Sequence, residues 1–167
     1  MRVGILTISD RSARGERPDA SGPLLAELVA EKLGATEIRR EVIPDDLEAI
    51  SSTLVAWCDG DELDLILTTG GTGFAPRDLT PEATRAVIER EAPGMAEAMR
   101  AAGLQKTPHA MLSRGICGIR GRTLIVNLPG SPKAAQENLA VILPVLPHAM
   151  ELLKEEPGAE AGHTLRP

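Results

Sequence analysis

The sequence predicts an α/β fold, a three-layer α/β/α arrangement around a mostly parallel mixed sheet, and three observations carry that reading. Short apolar runs at Val3 to Ile8, Ile38 to Ile43 and Asp64 to Thr69 have the length of buried strands. Stretches with helical spacing, Gly22 to Leu33 and Leu47 to Cys58, lie between them, and strand–helix alternation makes a parallel sheet. Further on, Ala110 to Ile119 and Arg122 to Asn127 are joined at Arg120-Gly121, which reads as a tight antiparallel connection, so the sheet is mixed.

After the third strand the chain reads Thr69-Gly70-Gly71-Thr72-Gly73, then Asp78-Leu79-Thr80-Pro81. Thr80 is a candidate N-cap and Pro81 suits the first position of a helix running to Arg90. Pro93-Gly94 interrupts it, and a second helix covers Met95 to Ala102. The turn Leu128-Pro129-Gly130-Ser131-Pro132 leads into a last helix, Lys133 to Leu153, which Pro144 and Pro147 should kink or break. With no internal repeat and no linker, residues 1–154 are expected to form one domain, followed by a flexible tail over 155–167.

Hydrophobic residues make up 43% of the 167, with no Tyr, one Phe and one Trp, so aliphatic side chains must fill the core. The 18 basic residues are scattered against 24 acidic ones, a net charge of −6, which argues against nucleic acid as a partner. Phosphate binding would therefore depend on local amides, individual basic side chains or a metal. Cys58 and Cys117 form no metal or redox motif, and His109, His148 and His163 show no ligand spacing. The start runs straight into a strand pattern without a signal-peptide segment, and no run approaches the ~18 apolar residues that span a bilayer, so the expected compartment is the cytoplasm.

A strand entering Thr69-Gly70-Gly71-Thr72-Gly73 ahead of a helix has the form of a nucleotide-phosphate turn, because glycines permit positive φ and let N–H groups approach an anion. A tight turn with no ligand would look similar. Asp45 follows the second strand and Asp78 the third, so both should face the carboxyl edge of the sheet, where ligands of open α/β sheets bind. Two carboxylates at a phosphate site repel unless a cation joins them, and Mg2+ prefers carboxylate and phosphate oxygens. Asp45, or equally Asp46, could instead cap the following helix, and Asp78 could pair with Arg77. Ser131 is a natural N-cap, Ser113-Arg114 could be an exposed polar pair on a strand, and Asp10 to Arg17 reads as a solvated loop or a substrate lid with Ser9 and Asp10 at its base.

Thr68 to Gly73, continued by Pro76-Arg77-Asp78-Leu79-Thr80-Pro81-Glu82-Ala83-Thr84, resembles the signature of the molybdenum-cofactor biosynthesis family that includes MogA, MoaB and the gephyrin G domain. Thr7 to Asp10, Met111 to Arg114 and Asn127 to Pro132 resemble further segments of it, and the likeness covers about Arg2 to Leu153. Ile88 to Met95 and Gly118 to Gly121 resemble the MogA and gephyrin branch more than the MoaB branch. The resemblance implies a MogA-like fold and molybdopterin adenylyltransferase activity, with ATP and molybdopterin as substrates, Mg2+ as cofactor and a homotrimer as the assembly. It places catalysis and metal binding on Asp45 and Asp78, and nucleotide binding on Gly70, Gly71, Thr72, Gly73, Pro129, Gly130 and Ser131. Molybdopterin binding falls on Ser9, Asp10, Thr72, Ser113 and Asn127. A MoaB-like paralogue, or a carrier that binds molybdopterin without catalysis, would share the same motifs.

Overall fold

Six strands and seven α-helices are seen in a computed structural model that describes residues 1–60, 63–157 and 159. The strands are β1 (Arg2–Ile8), β2 (Glu37–Ile43), β3 (Leu65–Thr69), β4 (Arg90–Glu91), β5 (Cys117–Arg120) and β6 (Thr123–Leu128). They form one sheet in the order β2-β1-β3-β6-β5-β4. The first four in that order are parallel, and β5 and β4 add antiparallel pairs, the mixed sheet that the sequence predicts.

Alternation along each central strand divides the core between two faces. Val3, Ile5, Leu65, Leu67, Leu124 and Val126 pack with α2 (Ser21–Leu33), α5 (Pro93–Leu104), α6 (Pro132–Ile142) and α7 (Leu146–Leu153). Leu6, Ile8, Ile66 and Ile125 pack on the other face with α3 (Leu47–Asp59) and α4 (Thr80–Val87), through Ile50, Leu54, Trp57, Ala83 and Val87. These faces and the sheet make the three expected layers. The chain leaves β1 for β2 on one side and reaches β3 on the other, so the strand order reverses at β1, the kind of switch point where open sheets bind ligands.

Four local expectations need correction. Ala110 to Ile119 is not one strand: Pro108–Leu112 is a 3-10 helix, capped by the Thr107 hydroxyl accepting from the His109 N–H, and β5 begins only at Cys117. Proline fixes φ near the helical value and local capping overrides the extended pattern. The helix from Pro81 ends at Val87, where Ile88 turns extended (φ −73°, ψ 149°) and delivers Arg90–Glu91 as an edge strand beside β5. Pro93 opens α5 rather than interrupting a helix. Asp10–Ala13 is a short helix, α1, with Ser9 as its cap, not a loop. The last helix breaks before Leu146 as expected, with Pro147 in the first turn of α7. Of the expected tail, residues 158 and 160–167 lie outside the described residues, while Glu155 bonds Arg122 at 3.0 Å. No helix among the described residues is long and apolar enough to cross a membrane.

Candidate functional site

Parallel pairing brings the carboxyl ends of four strands to one edge, with Thr7 beside Thr69, Thr69 beside Leu128 and Ile8 beside Ile43. The glycine turn leaves β3 at this edge. Gly70 has φ 107° and a Cβ there would lie 2.2 Å from the Ile8 carbonyl oxygen, so only glycine lets the turn press against β1. At Gly71 φ is 61°, and a Cβ would meet the Thr80 hydroxyl at 2.4 Å and Asp45 Oδ1 at 3.2 Å.

The surrounding bonds fix the turn from several segments. The Thr80 hydroxyl donates to the Gly70 carbonyl at 2.9 Å, and the Thr69 hydroxyl to the Pro129 carbonyl at 2.8 Å. Thr80 is thus the first residue of α4 and a clamp on the turn, not the expected N-cap; Leu79 occupies the cap position without a side-chain bond. Arg114 donates to the Gly73 carbonyl at 2.7 Å and also engages the Asp78 carbonyl and the Glu82 carboxylate. The sequence pattern reads Arg114 as one half of an exposed pair and misses this role, because the role depends on the loop that replaces the expected strand.

Asp45 and Asp78 both come to the turn. Asp46 is the N-cap of α3, accepting from the Ala49 N–H at 2.8 Å, which leaves Asp45 outside the cap. Asp45 Oδ2 accepts from the Asp10 N–H at 2.9 Å, while Oδ1, the atom near Gly71, has no hydrogen-bond partner among the described residues. Burial, with the charges of Asp10 and Asp78 adding to it, raises the Asp45 carboxyl above its ordinary value. Asp78 Oδ2 accepts from the Ala75 N–H at 2.9 Å and would lie 2.9 Å from a Cβ on Gly73. Asp78 does not pair with Arg77, whose guanidinium binds Asp10 instead at 2.6 Å and holds that carboxyl below the usual carboxylate range.

Two clefts meet at the turn and share Gly71, Asp78 and Gly130. The larger, about 810 Å³, also takes in Ser9, Asp10, Asp45, Gly70 and Ser131, with Arg11 and Arg17 on its rim. The smaller, about 460 Å³, takes in Thr72, Gly73, Ser113 and Pro129 together with Lys106 and Asn138. The expected nucleotide residues are therefore divided between both clefts, and so are the expected molybdopterin residues. Ser131 caps α6 through the Ala134 N–H at 3.5 Å. Ser113 lies in the loop after the 3-10 helix, not on a strand. Asn127 lines neither cleft; it is 2% exposed, its amide donates to the Thr68 and Thr84 hydroxyls at 3.0 and 2.9 Å, and its carbonyl accepts from the Ile116 N–H at 3.2 Å. In this position it ties β3, α4 and the loop carrying Ser113 together.

No group of three or more His, Cys, Asp or Glu side chains suited to a metal occurs among the described residues. A pair of carboxylates beside a phosphate-sized turn nevertheless suits Mg2+, which commonly takes one or two carboxylates and completes its shell with substrate phosphates and water. Burial is the main cause of the raised Asp45 carboxyl, and the charges of Asp10 and Asp78, which such a cation would offset, add to it. Burial pushes the Cys58 and Cys117 thiols up to about 11 and about 12, which keeps them protonated and unreactive.

Comparison with known proteins finds relatives over most of the chain. The chain is 46% identical over 153 residues to the molybdenum cofactor synthesis protein cinnamon of Drosophila melanogaster, covering 92% of this chain but spanning about a quarter, 26%, of that relative's length. It is 41% identical to the molybdopterin adenylyltransferase of Helicobacter pylori strain J99, covering 92% of this chain and 88% of the relative. The crystal structure of the molybdopterin biosynthesis enzyme MoaB from Thermus thermophilus superimposes with a TM-score of 0.87 at 55% identity, over 93% of this chain and 98% of that one. The sequence profile of the family described as "Probable molybdopterin binding domain" matches residues 4–148, which includes the glycine turn, both aspartates and both clefts, and the chain belongs to that family.

Proposed function

We propose that the chain is a molybdopterin adenylyltransferase, one domain over residues 1–154, that transfers AMP from ATP to the terminal phosphate of molybdopterin and releases pyrophosphate. The observation that carries this reading is the meeting of two clefts at Gly71, Asp78 and Gly130, with Asp45 beside them. A two-substrate transfer needs a donor and an acceptor held on either side of one reacting centre. The H. pylori relative that bears the adenylyltransferase name aligns over 88% of its own length, which supports the same reading.

In this reading ATP lies in the larger cleft and molybdopterin in the smaller, where Thr72 and Ser113 contact it. Asn127 supports the Ser113 loop from beneath. The phosphate oxygen of molybdopterin forms a bond to the α-phosphorus, and the bond from that phosphorus to the bridging oxygen breaks, releasing pyrophosphate. Little general-base work is needed, since the nucleophile is already an anion. Asp45 and Asp78 would hold Mg2+, which would offset negative charge on the nucleotide phosphates, while the Gly70 amide donates to the Leu128 carbonyl at 3.2 Å and so serves the turn itself. The protein works as a homotrimer in the cytoplasm, with no nucleic-acid partner.

The decisive assay follows pyrophosphate release with ATP, molybdopterin and Mg2+ present or singly omitted. Release should require all three, and Asp78→Asn should lose it by at least about 100-fold while still folding and binding molybdopterin. Full activity in a folded Asp78→Asn protein removes this residue from the mechanism, and molybdopterin binding without any release points to a carrier. A paralogue of MoaB type with another physiological role is a second reading, favoured by the 55% identity to the T. thermophilus structure named MoaB.

A further inference from the structure

We propose that Asp10 and Arg77 form a latch that positions Asp45, a role resting on the reading of Asp45 given above. Three segments distant in sequence close on one another here: the α1 start after β1, the turn after β2, and the loop after the glycine turn. Asp10 and Asp45 exchange bonds, the Asp10 N–H donating to Asp45 Oδ2 at 2.9 Å and the Asp45 N–H donating to Asp10 Oδ1 at 3.1 Å. Arg77 locks the pair from outside. Its Nε meets Asp10 Oδ2 at 2.6 Å, and its Nη2 donates both to Asp10 Oδ1 and to the Asp45 carbonyl, each at 3.0 Å.

Both oxygens of Asp10 are engaged by the protein, so its carboxylate serves the neighbouring loop rather than a substrate. Asp45, by contrast, has only Oδ2 engaged, and that single bond fixes its rotation so that Oδ1 is turned toward Gly71. The arrangement does little for fold stability, because Arg77 is 64% exposed and exposed ion pairs contribute little. Its geometric effect is local and specific: one planar fork ties a side chain and a main-chain carbonyl that a lysine could not hold together. Because Arg77 directly precedes Asp78, the latch also couples the two carboxylates through the chain.

The test measures, on the full-length protein, the affinity for α,β-methylene-ATP by calorimetry with and without Mg2+, alongside KM and kcat for molybdopterin. In Arg77→Met the tightening of nucleotide by Mg2+ should fall about 10–100-fold, the range found for residues that orient a metal ligand. The Mg2+-free affinity and the KM for molybdopterin should hold, kcat should drop, and Arg77→Lys should recover only part of the loss. In an Asp45→Asn background Arg77→Met should cost nothing more. An unchanged Mg2+ response in Arg77→Met overturns the latch, as does an equal loss with Asp45 already replaced, which would mark a merely structural contact. Wild-type protein whose nucleotide binding ignores Mg2+ overturns the metal reading and the latch with it, whereas a normal wild-type response with an indifferent Arg77→Met overturns the latch alone.

Discussion

Burial and the neighbouring Asp10 and Asp78 charges lift the Asp45 carboxyl above its ordinary 3.8. A carboxyl whose folded pKa exceeds its unfolded value costs stability once ionised; the cost is complete above the folded pKa and is relieved as the pH falls toward 3.8. Asp45→Asn removes the charge and should therefore raise the melting temperature of the ligand-free protein at neutral pH. Since the group is still partly in water, the rise should be small, about 1–2 °C. The same variant should lose adenylyl transfer. A lower melting temperature measured by calorimetry would mean that Asp45 supports the fold rather than costing it. The chain places this charge where a packing criterion alone would not, which is common for residues kept for chemistry.

Helix termini and their connections decide which carboxylate does which task. Asp46, one residue after Asp45, caps α3, so Asp46→Ala should cost about 1 kcal/mol in chemical unfolding while leaving transfer near wild type. Loss of transfer with unchanged stability would reverse the two roles. Helix α4 is tied to the glycine turn by Glu82 and Arg114. Burial raises the Glu82 carboxyl, but the Arg114 hydrogen bond and charge outweigh it and leave the group below its ordinary 4.5. Its stabilising contribution is therefore present above 4.5 and is lost as the pH falls through the lower folded value. Melting temperatures taken from neutral pH down through this window should fall more steeply for wild type than for Glu82→Gln; parallel curves would show that the pair contributes nothing.

For the whole molecule, the apolar side chains left in solvent include Phe74, Met111 and Val145, each at least half exposed. Association of copies would cover surface of this kind, and light scattering should return three times the 17.7 kDa chain mass. A monomer mass at micromolar concentration would dismiss the trimer. The exposed edge strand β2 is guarded against open-ended pairing, since Glu37, Arg39, Arg40 and Glu41 place charge along it.

The order of the main strands and helices was readable from the chain, because β1 and β3, buried on both faces, leave short continuous apolar runs and α2 and α3 leave a helical stripe, and these patterns are local. The glycine turn and the two aspartates were readable because each follows a strand whose carboxyl end must reach the edge of a parallel sheet, although β2, expected as a buried apolar run, is a charged and mostly exposed edge strand. The two-residue strand β4 and the 3-10 helix were not, being too short to leave a period of their own. Nor could the chain show what Asp10, Arg77 and Arg114 do. Their partners stand 35, 67 and 32 residues away along the chain, across turns whose path only packing fixes. Local sequence thus set the elements and the chemistry brought to the edge, and tertiary contact decided which oxygen of Asp45 is bound and which is left facing the cleft.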